Sequence, residues 1–346
     1  MVRWHRDHLL LAGMLLVVVL ASARWGAVPI APEEMWHAVR RALDAAGAAS
    51  PSATPTLNER IFLEIRLPRA LLAALVGASL AVGGVLMQAL FRNPIVEPGL
   101  IGTSSGAALG AALYFVMGAY WKWSAGIWTL PIAASLGAGA CTWAVITLAR
   151  AAGGGRGAVV SLLLTGIAVN ALCASGVGFL SYIARDPQAR SITFWTLGTL
   201  AGASWPVVCM VSAGLALGLW IGLRHAQSLN ALMLGDEEAR YLGVDVRRLR
   251  LMVLVGNVIM VAVATAFTGV IAFVGLVVPH VMRLWRGGDT RHLMGTSALG
   301  GAILLGLADL TARLAVAPAE LPIGIVTSVV GVPAFLALLR RAHVHY

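Results

Sequence analysis

"FRNPIVEPGLIGTSSG", Phe91 to Gly106, stands between two long apolar runs and decides how the chain is read. It holds an arginine, an asparagine, a carboxylate and two prolines, residues that are costly in hydrocarbon. Asn93 precedes Pro94, and a residue before proline avoids the helical region, so one helix ends here. Pro98 suits the first turn of a following helix, with Glu97 beside its positive end. The stretch therefore reads as a tight polar turn between two membrane-crossing helices. Gly102, Ser104, Ser105 and Gly106 then give the second helix a small, slightly polar face, fit for close packing or for lining a path.

The rest of the chain points the same way. Of its 346 residues, 59% are hydrophobic and 12% charged, and the mean hydropathy is +0.85. Soluble domains carry about 25% charged residues, so solvating surface is scarce here. Apolar runs reach the ~20 residues that cross a hydrocarbon core, and the alternating pattern of a membrane barrel is absent. The chain reads as an all-α polytopic membrane protein, one domain over 1–346 with about ten spans. Their expected limits are 9–29, 66–90, 100–119, 126–150, 157–184, 203–223, 247–269, 272–287, 292–313 and 322–341. Residues 31–65 read as an outer amphipathic helix and loop, and 226–246 as an inner polar segment. The N-terminus imitates a secretory signal, with "MVRWHRDH", then "LLLAGMLLVVVL", then "ASA" ending at Ala23. Its apolar run continues to Ile30, so it is read as a retained first helix.

Net charge is +10, carried almost wholly by arginine, since Lys122 is the only lysine. With the N-terminus inside, the inner loops hold Arg92, Arg150, Arg156, Arg224, Arg240, Arg247, Arg248, Arg250, Arg283, Arg286 and Arg291. That is the positive-inside bias, and it places both termini in the cytoplasm. No soluble basic face offers itself to nucleic acid. Cys141, Cys173 and Cys209 each lie inside an apolar run and read as packing residues, with no metal site expected. There is no GxxxxGK[ST] loop and no Ser-His-Asp, HExxH or haem-attachment pattern. The chain is therefore expected to be no enzyme by itself and to bind no cofactor.

A few residues stand out chemically. Asp309 lies four before Arg313, the spacing of a helical ion pair. "LNALMLGDEEARYLGV" contains a short helix whose acidic first turn, Asp236, Glu237 and Glu238, suits a positive helix N-terminus. Leu232, Leu234, Ala239 and Leu242 supply an apolar side, and Gly235 and Gly243 bracket it. That segment is either a solvated loop helix or a docking element for a groove in a cytoplasmic partner. In "GVIAFVGLVVPHVMRLWR", Gly275 and Pro279 predict a kinked span. His280 is expected to bond a backbone group beside that kink, ahead of ligating haem.

Four of these pieces, in this order, resemble one family: "RLPR" (66–69), "GASLAVGGVLMQALFRNPIVEPGLIGTSSGA" (77–107), "LGDEEARYLGV" (234–244) and "GVIAFVGLVVPHVMR" (269–283). It is the permease family of type II ABC importers for ferric siderophores, haem and vitamin B12. The resemblance runs from about residue 60 to the C-terminus. It implies a ten-helix subunit in a bacterial inner membrane, paired with a second copy of itself around a shared pathway. Two cytoplasmic ATPase subunits would use ATP and Mg from below, and a periplasmic binding protein would dock above. Leu232, Leu234, Gly235, Asp236, Glu237, Glu238, Ala239, Arg240, Leu242 and Gly243 then match the coupling helix that fits the ATPase groove. Arg66 and Arg69 match outer arginines that meet carboxylates of the binding protein, with Arg313 as a third.

"RSITFWTLGTLAG", Arg190 to Gly202, is similar to a segment that haem permeases carry as R-D-[LI]-T-F-W before a glycine turn. Ser191 replaces the acidic residue usual there, and Thr199 a common serine. Arg190 at the outer mouth either pairs with a haem propionate or is an ordinary loop arginine or docking contact, with Trp195, Gly102, Ser104 and Ser105 along the path. Haem from a periplasmic haem-binding protein is the expected cargo. A ferric siderophore or cobalamin is the alternative, and an ion-coupled carrier working without an ATPase is the third reading.

Overall fold

Apolar runs in a membrane must satisfy their own backbone groups, and helices do so within one segment. The computed structural model describes residues 2–26, 30–47, 56–121, 126–151 and 158–343, and every regular element among them is helical. In chain order these are α1 (Val2–Arg24), α2 (Pro32–Gly47), α3 (Leu57–Arg60), α4 (Leu67–Phe91), α5 (Thr103–Trp121), α6 (Thr129–Ala151), α7 (Ala158–Ile183), α8 (Gln188–Thr196), α9 (Trp205–Arg224), α10 (Ala226–Leu234), α11 (Asp236–Tyr241), α12 (Val246–Thr268), α13 (Val274–Arg286), α14 (Thr290–Leu314) and α15 (Ile323–His343). A π-helical stretch, Ile61–Arg66, joins α3 to α4. Lys122 and most of the "AAGGGRG" tract lie outside the described residues.

Among the described residues, seven segments are long and apolar enough to cross a membrane: those in α1, α6, α7, α9, α12 and α14, and the joined α3–α4. Helices α5 and α15 occupy two more of the expected places. The span expected at 272–287 differs. Helix α13 has 13 residues, so at 1.5 Å per residue it rises about 20 Å, short of the ~30 Å of a hydrocarbon core.

Helix α4 is the centre, buried along nearly its whole length against α9, α12, α13 and α14. Its glycines permit this. A Cβ on Gly77 would lie 2.1 Å from the Gly301 carbonyl oxygen of α14, and one on Gly301 would lie 2.2 Å from Gly77 O. Helix α5 meets α6 in the same manner through Gly106 and Gly137. Small residues that bring backbones together are how helices associate where lipid is as apolar as they are. Gly301→Ala is therefore expected to force α4 and α14 apart and cost about 1–3 kcal/mol. Thermal unfolding in detergent reads this, and an unchanged midpoint would show that the contact yields freely.

The 91–106 turn forms as predicted at its start and differently at its end. Arg92 terminates α4 in the left-handed region at φ 52°, and Asn93 Oδ1 accepts from Ile95 N at 2.9 Å. Pro98 opens only a single 3-10 turn, Pro98–Ile101, and α5 proper begins at Thr103 after Gly102 at φ 88°. Glu97 does not serve that helix. Its Oε1 accepts from Phe273 N at 3.2 Å, at the entrance of α13.

The kink expected from Gly275 and Pro279 is likewise relocated. The chain breaks upstream, between α12 and α13, where Phe273 takes φ 69°. Pro279 sits inside α13 and cannot donate to Gly275 O, the carbonyl four residues back. Gln88 of α4 donates to that oxygen instead, at 3.4 Å, and to Leu276 O at 3.4 Å. Gly275 and Gly84 together admit the contact with α4, since a Cβ on Gly275 would lie 2.7 Å from Leu80 O and one on Gly84 1.8 Å from Gly275 O. The His280 ring makes no hydrogen bond among the described residues, so its expected backbone partner is not found.

The outer segment is an amphipathic helix as expected, α2, followed by the capped α3. Thr56 and Glu59 form a capping box, and Arg41 Nη1 donates to Glu59 Oε2 at 2.6 Å. The Asn58 amide and the Ala31 N–H hold the Glu34 carboxyl below its usual range. Cys141 of α6 and Cys173 of α7 are free and pack against each other between the two helices, their sulfurs 3.3 Å apart.

Candidate functional site

Charged side chains sort to two opposite ends of the bundle. At one end, Arg69 donates from Nε and Nη2 to Asp309 Oδ1 at 3.0 and 2.9 Å, and from Nη1 to Glu320 Oε1 at 2.9 Å. Arg313 Nε donates to the other oxygen of Asp309 at 3.0 Å, the predicted i,i+4 pair. Arg313 also donates to Ser22 Oγ at 2.6 Å, Ser22 O at 3.1 Å and Trp25 O at 3.1 Å. Arg66 Nη1 donates to Arg24 O at 2.7 Å and Ala23 O at 3.4 Å. The cluster joins α1, α4, α14 and the segment before α15.

Asp309 is only 1% exposed. A carboxylate buried that deeply stays ionised only with partners, which is why the guanidiniums turn inward. The sequence predicts Arg66, Arg69 and Arg313 as outward docking cations; the structure engages all three internally, and Arg66 is itself buried. A cavity of about 220 Å³ lies beside them, with Arg69, Phe194, Thr199, Asp309 and Glu320 on its wall.

At the opposite end, α10 and α11 meet at Gly235, whose φ of 149° favours glycine. Leu232 and Ala239 are fully buried anchors. Asp236 accepts from Arg250 Nη2 at 2.7 and 3.0 Å and lies 3.5 Å from Arg92. Helix α11 is thereby tied to α12 and to the end of α4. Asp7 pairs with Arg286, and Thr290 N donates to Asn230 Oδ1 at 2.9 Å. The starts of α1 and α14 and the end of α13 therefore share this end.

The one apolar side expected for Leu232, Leu234, Ala239 and Leu242 is in fact two. Leu232 and Ala239 hold the segment down, whereas Leu234 is 70% and Leu242 64% exposed. Met233 and Tyr241 join the outward set, Tyr241 at 89% exposure. Glu237, Glu238, Arg240 and Gly243 are also outward. Tyr241 lay within the quoted motif, and an exposed aromatic beside an exposed leucine was the signal that could have singled it out.

The expected pathway residues are placed less openly. Ser105 Oγ donates to Asn170 Oδ1 of α7 at 2.5 Å and to Gly102 O at 3.4 Å. Gly102 is buried against the backbone of Cys141, and Ser104 lies against Gly99. Trp195 shares a buried cluster with Ala107, Ala108 and Ala111 of α5. Arg190 is exposed on α8 and makes no ion pair among the described residues.

Known proteins resemble this chain over almost its whole length. It is 43% identical over 328 residues to the hemin transport system permease protein HmuU of Yersinia pestis, covering 95% of this chain and 93% of that one. It is 35% identical over 341 residues to the vitamin B12 import system permease protein BtuC of Vibrio cholerae, covering 99% and 96%. Among solved structures it superposes on a metal-chelate type ABC transporter in an inward-facing conformation, with TM-score 0.82, 29% identity and 97% and 99% coverage. Residues 14–341, which include all four quoted motifs and the Arg69–Asp309–Arg313 cluster, match a single family description, and the chain belongs to the FecCD transport family.

Proposed function

We propose that this chain is the membrane subunit of an ATP-driven importer that moves haem from a periplasmic binding protein across the bacterial inner membrane. The observation that carries the reading is the 43% identity, over 95% of the chain, to a hemin permease. The subunit is not catalytic itself; ATP and Mg belong to a partner ATPase, as the family's transport role implies. That partner docks on the outward Leu234, Tyr241 and Leu242, an exposed apolar set around α11 at the inner end. Ten crossings, with α5, α15 and the short α13 extended by the non-helical residues 269–273 that lead into it completing the count, put both termini in the cytoplasm. A second copy covers the apolar exposed faces of α7 and α15, which include Leu172 and Val329. The binding protein meets exposed Arg24, Arg40 and Arg60 on the outer face, which the buried cluster of Arg66, Arg69 and Arg313 holds in shape.

The test is uptake into proteoliposomes containing the permease, its ATPase and its binding protein. Haem accumulation that requires ATP is expected, with no uptake when the ATPase is left out. Uptake of a ferric siderophore or cobalamin in place of haem would assign the alternative cargo, and ATP-independent uptake driven by a proton gradient would remove the importer reading. Arg190→Ala is expected to slow haem entry about 10-fold, the worth of one charge-assisted hydrogen bond. Uptake at the wild-type rate would return Arg190 to an ordinary surface residue.

A further inference from the structure

A cavity of about 480 Å³ opens where the ends of α6, α7 and α12 meet α11. Arg150, Arg240, Arg247 and Arg250 line it, against a single carboxylate, Asp236. That carboxylate is already occupied by Arg250 and approached by Arg92. Arg150, Arg240 and Arg247 are exposed and make no ion pair or side-chain hydrogen bond among the described residues. The cavity therefore presents an uncompensated positive face. Its remaining wall is apolar, from Ile146, Leu162, Leu251 and Leu254.

Depth identifies the occupant. Arg150 stands in the last turn of α6, and Arg247 and Arg250 in the first turns of α12, both long and apolar enough to cross a membrane. The guanidiniums thus sit at the level of lipid phosphates. Toward the bilayer the apolar wall continues as exposed side chains, Trp143 one turn before Ile146 on α6 and Val255 one turn after Leu251 on α12. A free anion would need the arginines and leave that stripe unused. We propose that this cavity binds an anionic phospholipid of the inner leaflet, phosphate on Arg150, Arg240 and Arg247, acyl chains along α6 and α12. Basic pockets between spanning helices at a cytoplasmic boundary recognise such headgroups, and guanidinium forks match phosphate oxygens two at a time. Since Arg240 belongs to α11, the bound lipid steadies the ATPase-docking helix against α12; that part rests on the function proposed above.

The test uses the purified full-length permease in a neutral detergent with no ATPase present, so its outcome is independent of the cargo. Native mass spectrometry would follow titration with cardiolipin, with phosphatidylcholine and with inorganic phosphate. Cardiolipin is expected to bind on the order of 100-fold more tightly than phosphatidylcholine, at about 5-fold per contributing arginine. Arg150→Gln with Arg247→Gln should weaken it about 25-fold, while Arg150→Lys with Arg247→Lys stays within a few-fold. Arg185→Gln, far from the cavity, should match the wild type. Equal binding of phosphatidylcholine, or full cardiolipin binding by the double glutamine variant, would overturn the proposal. So would complete displacement by inorganic phosphate, which would make this a free-anion site. In a separate binding assay with the ATPase added, loss of association by the glutamine pair while its cardiolipin binding stays intact would give the cavity to the protein partner, and the lipid reading would fail.

Discussion

Asp309→Ala is expected to destabilise the protein by about 3–5 kcal/mol, the cost of stranding buried charge. Exposed ion pairs are worth about 0–1 kcal/mol, so the class to which this cluster belongs decides the size of the effect. The side chains settle it: Asp309 is 1%, Arg313 8% and Arg69 12% exposed. Removing the carboxylate leaves two guanidiniums facing each other without their shared acceptor. Thermal unfolding in detergent should fall by roughly 5–15 °C, and a change under about 2 °C would mean that water enters and screens the cluster. A second variant separates charge from packing. Replacing Asp309, Arg69 and Arg313 together by Leu, Met and Met should recover much of the loss, because no charge then remains unpaired.

Leu234→Ala combined with Tyr241→Ala is expected to weaken ATPase association on the order of 1000-fold, from about 2 kcal/mol for each truncated anchor. Tyr241 is 89% and Leu234 70% exposed while their neighbours Ala239 and Leu232 are fully buried. The outward pair can therefore be cut without touching the anchors. Leu232→Ala should behave in the opposite sense, costing about 2–5 kcal/mol of folding stability as a core cavity. Affinity of the detergent-purified permease for its ATPase reads the first, and thermal unfolding the second. Wild-type affinity in the double variant would move the docking surface elsewhere.

The two charged ends show where sequence reasoning reaches and where it stops. The 91–106 turn, the acidic start of α11 and the Asp309–Arg313 pair were legible because each depends on residues within a few positions of one another. Arg69 reaches Asp309 across 240 positions, and Glu97 reaches Phe273 across 176. No local spacing encodes those meetings. Periodicity is also weak here, because a helix apolar all round does not say which face looks inward. That is why the sequence puts Leu232 and Leu242 on one side; the outward reading of Arg66 and Arg69 comes from the resemblance, which carries no trace of their acceptors at Arg24 O and Asp309. Pro279 was legible as a disturbance, but its location was not. The bend fell at Phe273, while Gln88, from a different helix, took over the acceptor that Pro279 leaves without a donor.

The way α1 is fastened has a consequence for which residues it tolerates. Arg66 and Arg313 hold it through the carbonyl oxygens of Ser22, Ala23, Arg24 and Trp25, the last acceptors of a helix, which have no partner within it. Those oxygens are present whatever side chain stands there, and only Ser22 contributes one of its own. The anchorage of the first helix is thus blind to residue identity at 24 and 25, whose side chains are exposed, though not at Ala23, which packs on Phe62 and Ile30. Many replacements at those two exposed positions should leave it fastened, whereas loss of either arginine should let it drift, so mutational sensitivity is concentrated in parts of the chain distant from the helix being held.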